Sequence, residues 1–219
     1  MNEFKLYHAY TACTRVTLTA LEEVGVDYDD HMLDMSVREH LSPEYLAVNA
    51  QGKVPALAIG DDVLTENGAI LSYLNERFPE AGLLPHAGDA LARAHILSDL
   101  FWVSSGWHPV VRANKVPFLW TVGDHLPVRE KGRQLLTPLV RQLDEKMLRQ
   151  PWWFGDTWSI VDIYLWWAYI NAEIGEFPLE GWEGIAAHRA RCEARPALQR
   201  ALAREEAAHL ALQRRKAQG

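Results

Sequence analysis

Cysteine is scarce in this sequence: Cys13 and Cys192 are the two thiols in 219 residues. Two cysteines cannot build a disulfide framework, and they suit a reducing cytosol, so a cytoplasmic protein is expected. Positive charge is in short supply as well, with Lys+Arg at 22 against Asp+Glu at 29 and a net charge of −7. A nucleic-acid binder needs a basic face to displace counterions from phosphates, so this balance argues against that class. Long apolar runs are missing. The densest, Ile160 to Ile174, is broken by Asp162, Asn171 and Glu173, which argues against a bilayer span. The opening MNEFKLYH has no basic stretch leading into an apolar run and does not read as a secretion signal. Tryptophan is absent from the first hundred residues; all nine lie between Trp102 and Trp182.

What is present fits a globular chain, with 48% apolar and 23% charged residues, and excludes wholesale disorder. The tryptophan asymmetry points to two packing units. The turn-like Pro85-His86-Ala87-Gly88 marks the break, giving expected domains of residues 1–84 and 85–219.

In the first, strand and helix periods alternate. Phe4 to Tyr7 reads as a strand, Thr14 to Val24 as a helix stopped by Gly25, and Asp30 to Asp34 as a second strand. Pro43 to Val48 reads as a helical turn, Val54 to Ile59 and Val63-Leu64 as strands about a Gly60-Asp61-Asp62 turn, and Asn67 to Phe78 as a helix. The order β-α-β-α-β-β-α predicts a mixed sheet covered by helices. The second domain carries helix patterns alone: Asp89 to His108, Arg129 to Arg149, Ser159 to Ile174, Gly181 to Ala194 and Ala197 to Gln213. The stretch from His188 to the end is basic, holding eight Arg/Lys against three Glu, and reads as a solvated helix with a frayed end.

Four clusters carry chemistry or its scaffold. Thr11-Ala12-Cys13-Thr14-Arg15 sits at the turn into the first helix. Unpaired N–H groups and a partial positive charge there favour a thiolate, either that of Cys13 or one to which a hydroxyl donates. The same residues also suit a plain cap, by Thr11 or Thr14, with Cys13 as a small core residue. Lys53-Val54-Pro55 puts a proline at the start of an apolar strand. Either the Val54-Pro55 bond is cis and turns the Val54 amide groups toward a ligand, or it is an ordinary trans edge-strand start. Thr65-Glu66-Asn67-Gly68 precedes a helix and suits an anion at its N-terminus with an ammonium on Glu66, or a simple cap. Ser159 with Asp162 three residues on makes a capping box before an apolar helix, a folding element and not a catalyst.

Together these segments resemble the glutathione transferase superfamily over essentially the whole chain. The carriers are Lys5-Leu6-Tyr7 leading to the Thr/Cys site, Asn49-Ala50-Gln51-Gly52-Lys53-Val54-Pro55-Ala56-Leu57, Leu64 to Leu74 with its Thr65-Glu66-Asn67 start, and the Ser159-to-Asp162 box. The resemblance implies a thioredoxin-like α/β first domain and an all-α second domain, with a cis Pro55. It implies Val54 backbone groups on the cysteinyl part of glutathione, Glu66 and Asn67 on its γ-glutamyl end, and Lys53 and His40 near its glycyl carboxylate. Asn67 stands where the family usually has Ser. Thr11, four residues before Arg15, matches the serine/threonine-type site; Cys13, six after Tyr7, matches the bacterial cysteine-type site. Phe101-Trp102 stands where the cysteine type often has His-Lys.

The implied protein is a cytoplasmic homodimer active in detoxification. It uses glutathione as co-substrate and no metal, and binds neither nucleic acid nor membrane. Thr11 or Cys13 favours a thiolate that attacks an apolar electrophile, held against Phe101, Trp102, Trp107, Phe118 and Trp120 between the domains. Two alternatives stand beside it: a thiol–disulfide reductase using Cys13, and a ligand-binding protein without catalysis.

Overall fold

A computed structural model describes residues 2–218. The chain divides into two compact units, one from Met1–Leu83 and Arg195–Gly219, the other from Leu84–Ala194.

The first unit is built on a four-stranded sheet in the order β2-β1-β3-β4. Strand β1 (Phe4–His8) runs parallel to β2 (Tyr28–Met32) and antiparallel to β3 (Ala56–Ile59), which pairs antiparallel with β4 (Asp62–Thr65). Helix α1 (Thr14–Val24) makes the crossover that a parallel β1–β2 pair requires. It buries Val16, Leu18 and Leu21 and ends where Gly25, at φ +71°, returns its N–H to the Leu21 carbonyl. The short α2 (Pro43–Leu46) is capped by Ser42, and α3 (Asn67–Arg77) follows β4 directly. This is the thioredoxin-like β-α-β-α-β-β-α arrangement expected from the sequence. The strands differ at their ends: β2 starts two residues earlier than its apolar centre suggested, because Tyr28 is itself buried, and β3 starts after Pro55.

The last helix, α9 (Pro196–Gln218), corrects two expectations. It packs on α1 within the first unit instead of extending the helical one. Nor are the basic residues here simply solvated: Arg195, just before α9, pairs with Glu23, and within the helix Arg200 pairs with Glu22, Arg204 with Asp30 and Lys216 with Asp34. Four acidic side chains of the first unit, Glu22, Glu23, Asp30 and Asp34, thus face the basic residues of this last segment.

The second unit is helical throughout its described elements. Its centre is α7 (Ile160–Ile174), buried from Ile160 to Ala172 on all faces, with the two polar interruptions Asp162 and Asn171 buried but hydrogen-bonded. Around it lie α4 (Ala90–Phe101), α5 (His108–Lys115), α6 (Leu126–Met147) and α8 (Glu183–Glu193). Where one helix was expected from Asp89 to His108, a π-type turn at Trp102–Trp107 joins α4 to α5 and the helical path runs on to Lys115. The turn drops Trp107 into the core, where its ring meets Trp102 edge-on. Gly184 lets α8 approach α6 so closely that an added Cβ would collide with the Asp144 carbonyl oxygen. Gly184→Ala should therefore lower stability by about 1–3 kcal/mol, the usual range for overpacking. Thermal melting checks this, and an unchanged midpoint would contradict the close approach.

Candidate active site

Three of the four sequence clusters meet in the first unit. The turn 10–13 leads into α1, whose N-cap residue Cys13 makes no side-chain cap. The Cys13 side chain is 7% exposed, and its Sγ lies 3.8 Å from the Val54 carbonyl oxygen as donor. The Asn67 amide donates to the Cys13 carbonyl at 3.2 Å and accepts from the Thr17 hydroxyl at 2.6 Å. Residues 13, 54 and 67 are thus tied through hydrogen bonds that join the N-terminal ends of α1 and α3 to the start of β3. The Asn67 side chain is buried and bonded to α1, and the residue itself opens α3.

The Val54-Pro55 bond is cis. The loop before it is held from below: the Tyr45 hydroxyl donates to the Lys53 carbonyl at 2.5 Å, and the Asn49 amide donates to the same oxygen at 2.8 Å. Burial pushes the Tyr45 phenol up to about 12, so it remains a donor at neutral pH. Gly52, at φ +60°, has no room for a Cβ beside Leu41 and the His40 carbonyl. The two bonds to the Lys53 carbonyl and the close approach of Gly52 to the His40 carbonyl hold the segment from Asn49 to Pro55 as one clamp. Lys53 is exposed, and His40 is half-buried with a buried Nδ1 that has no hydrogen-bond partner. Burial, with the Arg38 cation adding to it, holds His40 below its ordinary pKa, so at neutral pH it is an uncharged imidazole.

Glu66 is exposed, in the left-handed region at φ +67°, and does not cap α3 with its side chain. A non-glycine residue there is uncommon and signals a constraint on where the side chain points. Thr11, half-buried, is also left-handed at φ +58°, a true outlier for a β-branched residue. Its N–H donates to Glu205 of α9 at 3.1 Å, and Arg15 donates to the same carboxylate at 2.8 Å. Sequence reasoning missed Glu205. The signal was there, in a Glu205-Glu206 pair inside an otherwise basic helix.

The aromatic residues expected to wall an apolar substrate scatter within the helical unit. Phe101, Phe118 and Trp120 are exposed, and Trp102 stacks on Trp153 with centroids 5.2 Å apart. Trp107 is fully buried, a core residue and not a wall. An apolar cavity of about 430 Å³ opens between α5 and α6, lined by Val110, Ala113, Val128 and Leu135; of the five aromatics only Trp120 reaches it. Among the described residues, no group of three or more His, Cys, Asp or Glu is placed to hold a metal ion. None of the described helices is long and apolar enough to cross a membrane.

A thioredoxin-like domain whose clamped cis-proline loop meets the start of α1, followed by a helical unit, defines a class of glutathione-dependent enzymes. The family described as Glutathione S-transferase, N-terminal domain, matches residues 2–76. The chain is 34% identical over 212 residues to the maleylacetoacetate isomerase of Pseudomonas aeruginosa, covering 89% of this chain and 97% of that one. It is 30% identical over 207 residues to the disulfide-bond oxidoreductase YfcG of Escherichia coli, covering 90% and 93%. A sphingomonad glutathione S-transferase solved in complex with glutathione superposes with a TM-score of 0.81 at 28% identity, over 92% of this chain and 98% of that one. The chain belongs to the glutathione transferase family and is an enzyme of that family.

Proposed function

We propose that the enzyme binds glutathione and promotes attack of its thiolate on an electrophilic carbon of a largely apolar substrate. The observation that carries this reading is the convergence of Cys13, Val54 and Asn67 at the joined ends of α1 and α3. These residues fit a short peptide with one ammonium and two carboxylates. Glu66 faces outward for the ammonium, the α3 N-terminus favours the carboxylate beside it, and Lys53 with His40 takes the carboxylate at the other end. Val54 offers its backbone to the middle of the peptide.

Glutathione supplies the nucleophilic sulfur when bound. The chain's task is to hold that sulfur as thiolate at neutral pH. Thr11 donates a hydrogen bond to it, and the first amides of α1 add their partial positive charge. A thiolate that forms a bond to an electrophilic carbon completes a transfer when a leaving group departs with its electron pair, or when the carbanion left by addition to a conjugated double bond takes up a proton. When it adds to a conjugated double bond, and is expelled as that bond re-forms after rotation about the intervening single bond, it completes an isomerisation, the activity for which the Pseudomonas relative is named. Phe101, Phe118 and Trp120 are the exposed aromatics that we assign to the apolar substrate.

Glu66 is the residue to remove first. Glu66→Ala should weaken glutathione binding by about 1–3 kcal/mol, the range for one charge-assisted hydrogen bond. Titration calorimetry with glutathione checks this, and an unchanged affinity takes Glu66 out of the site. Turnover of a generic aryl halide against reduction of a glutathione mixed disulfide then separates transfer from the second reading, reduction through Cys13. The placement of Cys13 at the helix N-cap supports that second reading.

A further inference from the structure

The α9 carboxylate at the thiol turn is more than a packing contact. Glu205 is 1% exposed at its side chain, with Arg15 donating from Nε at 2.8 Å and from its terminal nitrogen at 2.7 Å to one oxygen. The other oxygen accepts from the Thr11 N–H at 3.1 Å. The next residue, Glu206, accepts from the Tyr10 hydroxyl at 3.0 Å, and His209 stacks on the Tyr10 ring with centroids 3.9 Å apart. Every residue of the pair 10–11 is thus gripped from α9, the last helix in the chain. A buried carboxylate is costly unless paired, and a left-handed threonine is costly unless held; here each offsets the other.

We propose that Glu205 is a positioning residue of the reaction: it fixes Thr11 in its left-handed conformation, and with Arg15 it forms a neutral pair beside the reacting thiol. This rests on the reading that the glutathione sulfur lies at the turn 10–13. The charged and titratable groups facing that turn are Arg15 and Cys13 from the α1 end, Glu205, Glu206 and His209 from α9, and Tyr10 itself. Of these, Arg15 and Glu205 are the two whose charges cancel inside the protein. Upsetting that balance must move the acidity of a nearby thiol in a direction set by the charge that remains.

Glu205→Gln keeps an acceptor for the Thr11 N–H but leaves Arg15 unopposed, which favours a thiolate. Arg15→Gln leaves the carboxylate unopposed, which disfavours one. Titrating the ultraviolet absorbance of the thiolate in the glutathione complex should show the apparent pKa falling in Glu205→Gln and rising in Arg15→Gln. The shift expected is about half a unit to one unit each, the scale for a charge within about 10 Å at an intermediate dielectric. The double variant should return close to the parent value.

Shifts in the same direction, or none in folded single variants, would overturn the proposal. If the Gln variants do not fold, Glu205→Asp and Arg15→Lys keep the charges and disturb only the geometry. They should then lower turnover several-fold at unchanged KM for glutathione and raise the thiol pKa as the Thr11 hydroxyl is drawn away from the sulfur, and unchanged turnover overturns the proposal equally. Failure of the underlying reading looks different: Thr11→Ala and Cys13→Ala then leave the thiol titration unmoved as well.

Discussion

Asp162→Ala is expected to destabilise the protein by about 3–5 kcal/mol, well beyond the loss of an ordinary helix cap. The reason lies in how many groups one buried carboxylate serves. Its Oδ2 accepts from the Ser159 hydroxyl at 3.0 Å and from the Ser159 N–H at 2.9 Å, the latter one arm of a capping box whose other arm is the Asp162 N–H on the Ser159 side chain. Its Oδ1 accepts from the Trp153 N–H at 2.7 Å and pairs with His188 Nε2 of α8 at 3.1 Å. His188 passes the connection on to the Tyr169 hydroxyl at 3.1 Å, and both His188 and Asp162 are fully buried. Alanine strands four buried partners at once, and each unsatisfied group costs about 1–3 kcal/mol before relaxation. Asp162→Asn should cost less but still fail, because an amide cannot accept at both ends. Urea unfolding followed by tryptophan fluorescence is a suitable measure, since every tryptophan lies between Trp102 and Trp182. A loss under about 1 kcal/mol would show that the box acts alone; lost turnover with full stability would make Asp162 part of the chemistry.

This carboxylate also shows what a sequence reveals and what it hides. Ser159 and Asp162 are three residues apart, so the box was legible; His188 and Trp153 join it only through tertiary packing, which no local spacing records. The same holds in the first unit. The α1 range was readable because Gly25 and the apolar spacing of Val16, Leu18 and Leu21 obey helix geometry. The Asn49-to-Pro55 clamp was readable as a motif, but that Asn49 and Tyr45 both serve the Lys53 carbonyl was not. Asn67 reads as a ligand residue because a polar side chain before a helix suits an anion; that its amide also bonds Thr17 and the Cys13 carbonyl, 50 and 54 residues away, was not readable. Trp107 looked like a wall because aromatics suit clefts, and a π-type turn that spacing rules do not anticipate sends it inward. The basic last helix looked solvated because its partners, Glu22, Glu23 and Asp30, lie more than 150 residues away in the chain.

The largest effect on chemistry is expected where Thr11 and Cys13 diverge. A threonine hydroxyl can donate to a thiolate but cannot become a sulfur nucleophile; a buried cysteine can form a mixed disulfide but is the poorer donor. For an enzyme that works by thiolate attack, Thr11→Ala should raise the apparent pKa governing conjugation and slow it at neutral pH. The scale is about tenfold for each 1.4 kcal/mol of thiolate stabilisation lost. The sign follows from which form the hydroxyl favours: it donates to the charged sulfur, so its loss moves the thiol toward its ordinary, higher value, and the deficit vanishes as pH rises above it. Cys13→Ala should leave most conjugation intact, because Cys13 is 7% exposed with its Sγ turned to the Val54 carbonyl. A pH–rate profile of both variants against the parent decides the matter, with mass spectrometry for a glutathione adduct. A Cys13→Ala variant that is inactive, beside a nearly normal Thr11→Ala, makes the enzyme a reductase. An unshifted Thr11→Ala profile removes the hydroxyl and leaves the α1 amides, held in place through the left-handed turn at Thr11, as the group that favours the thiolate.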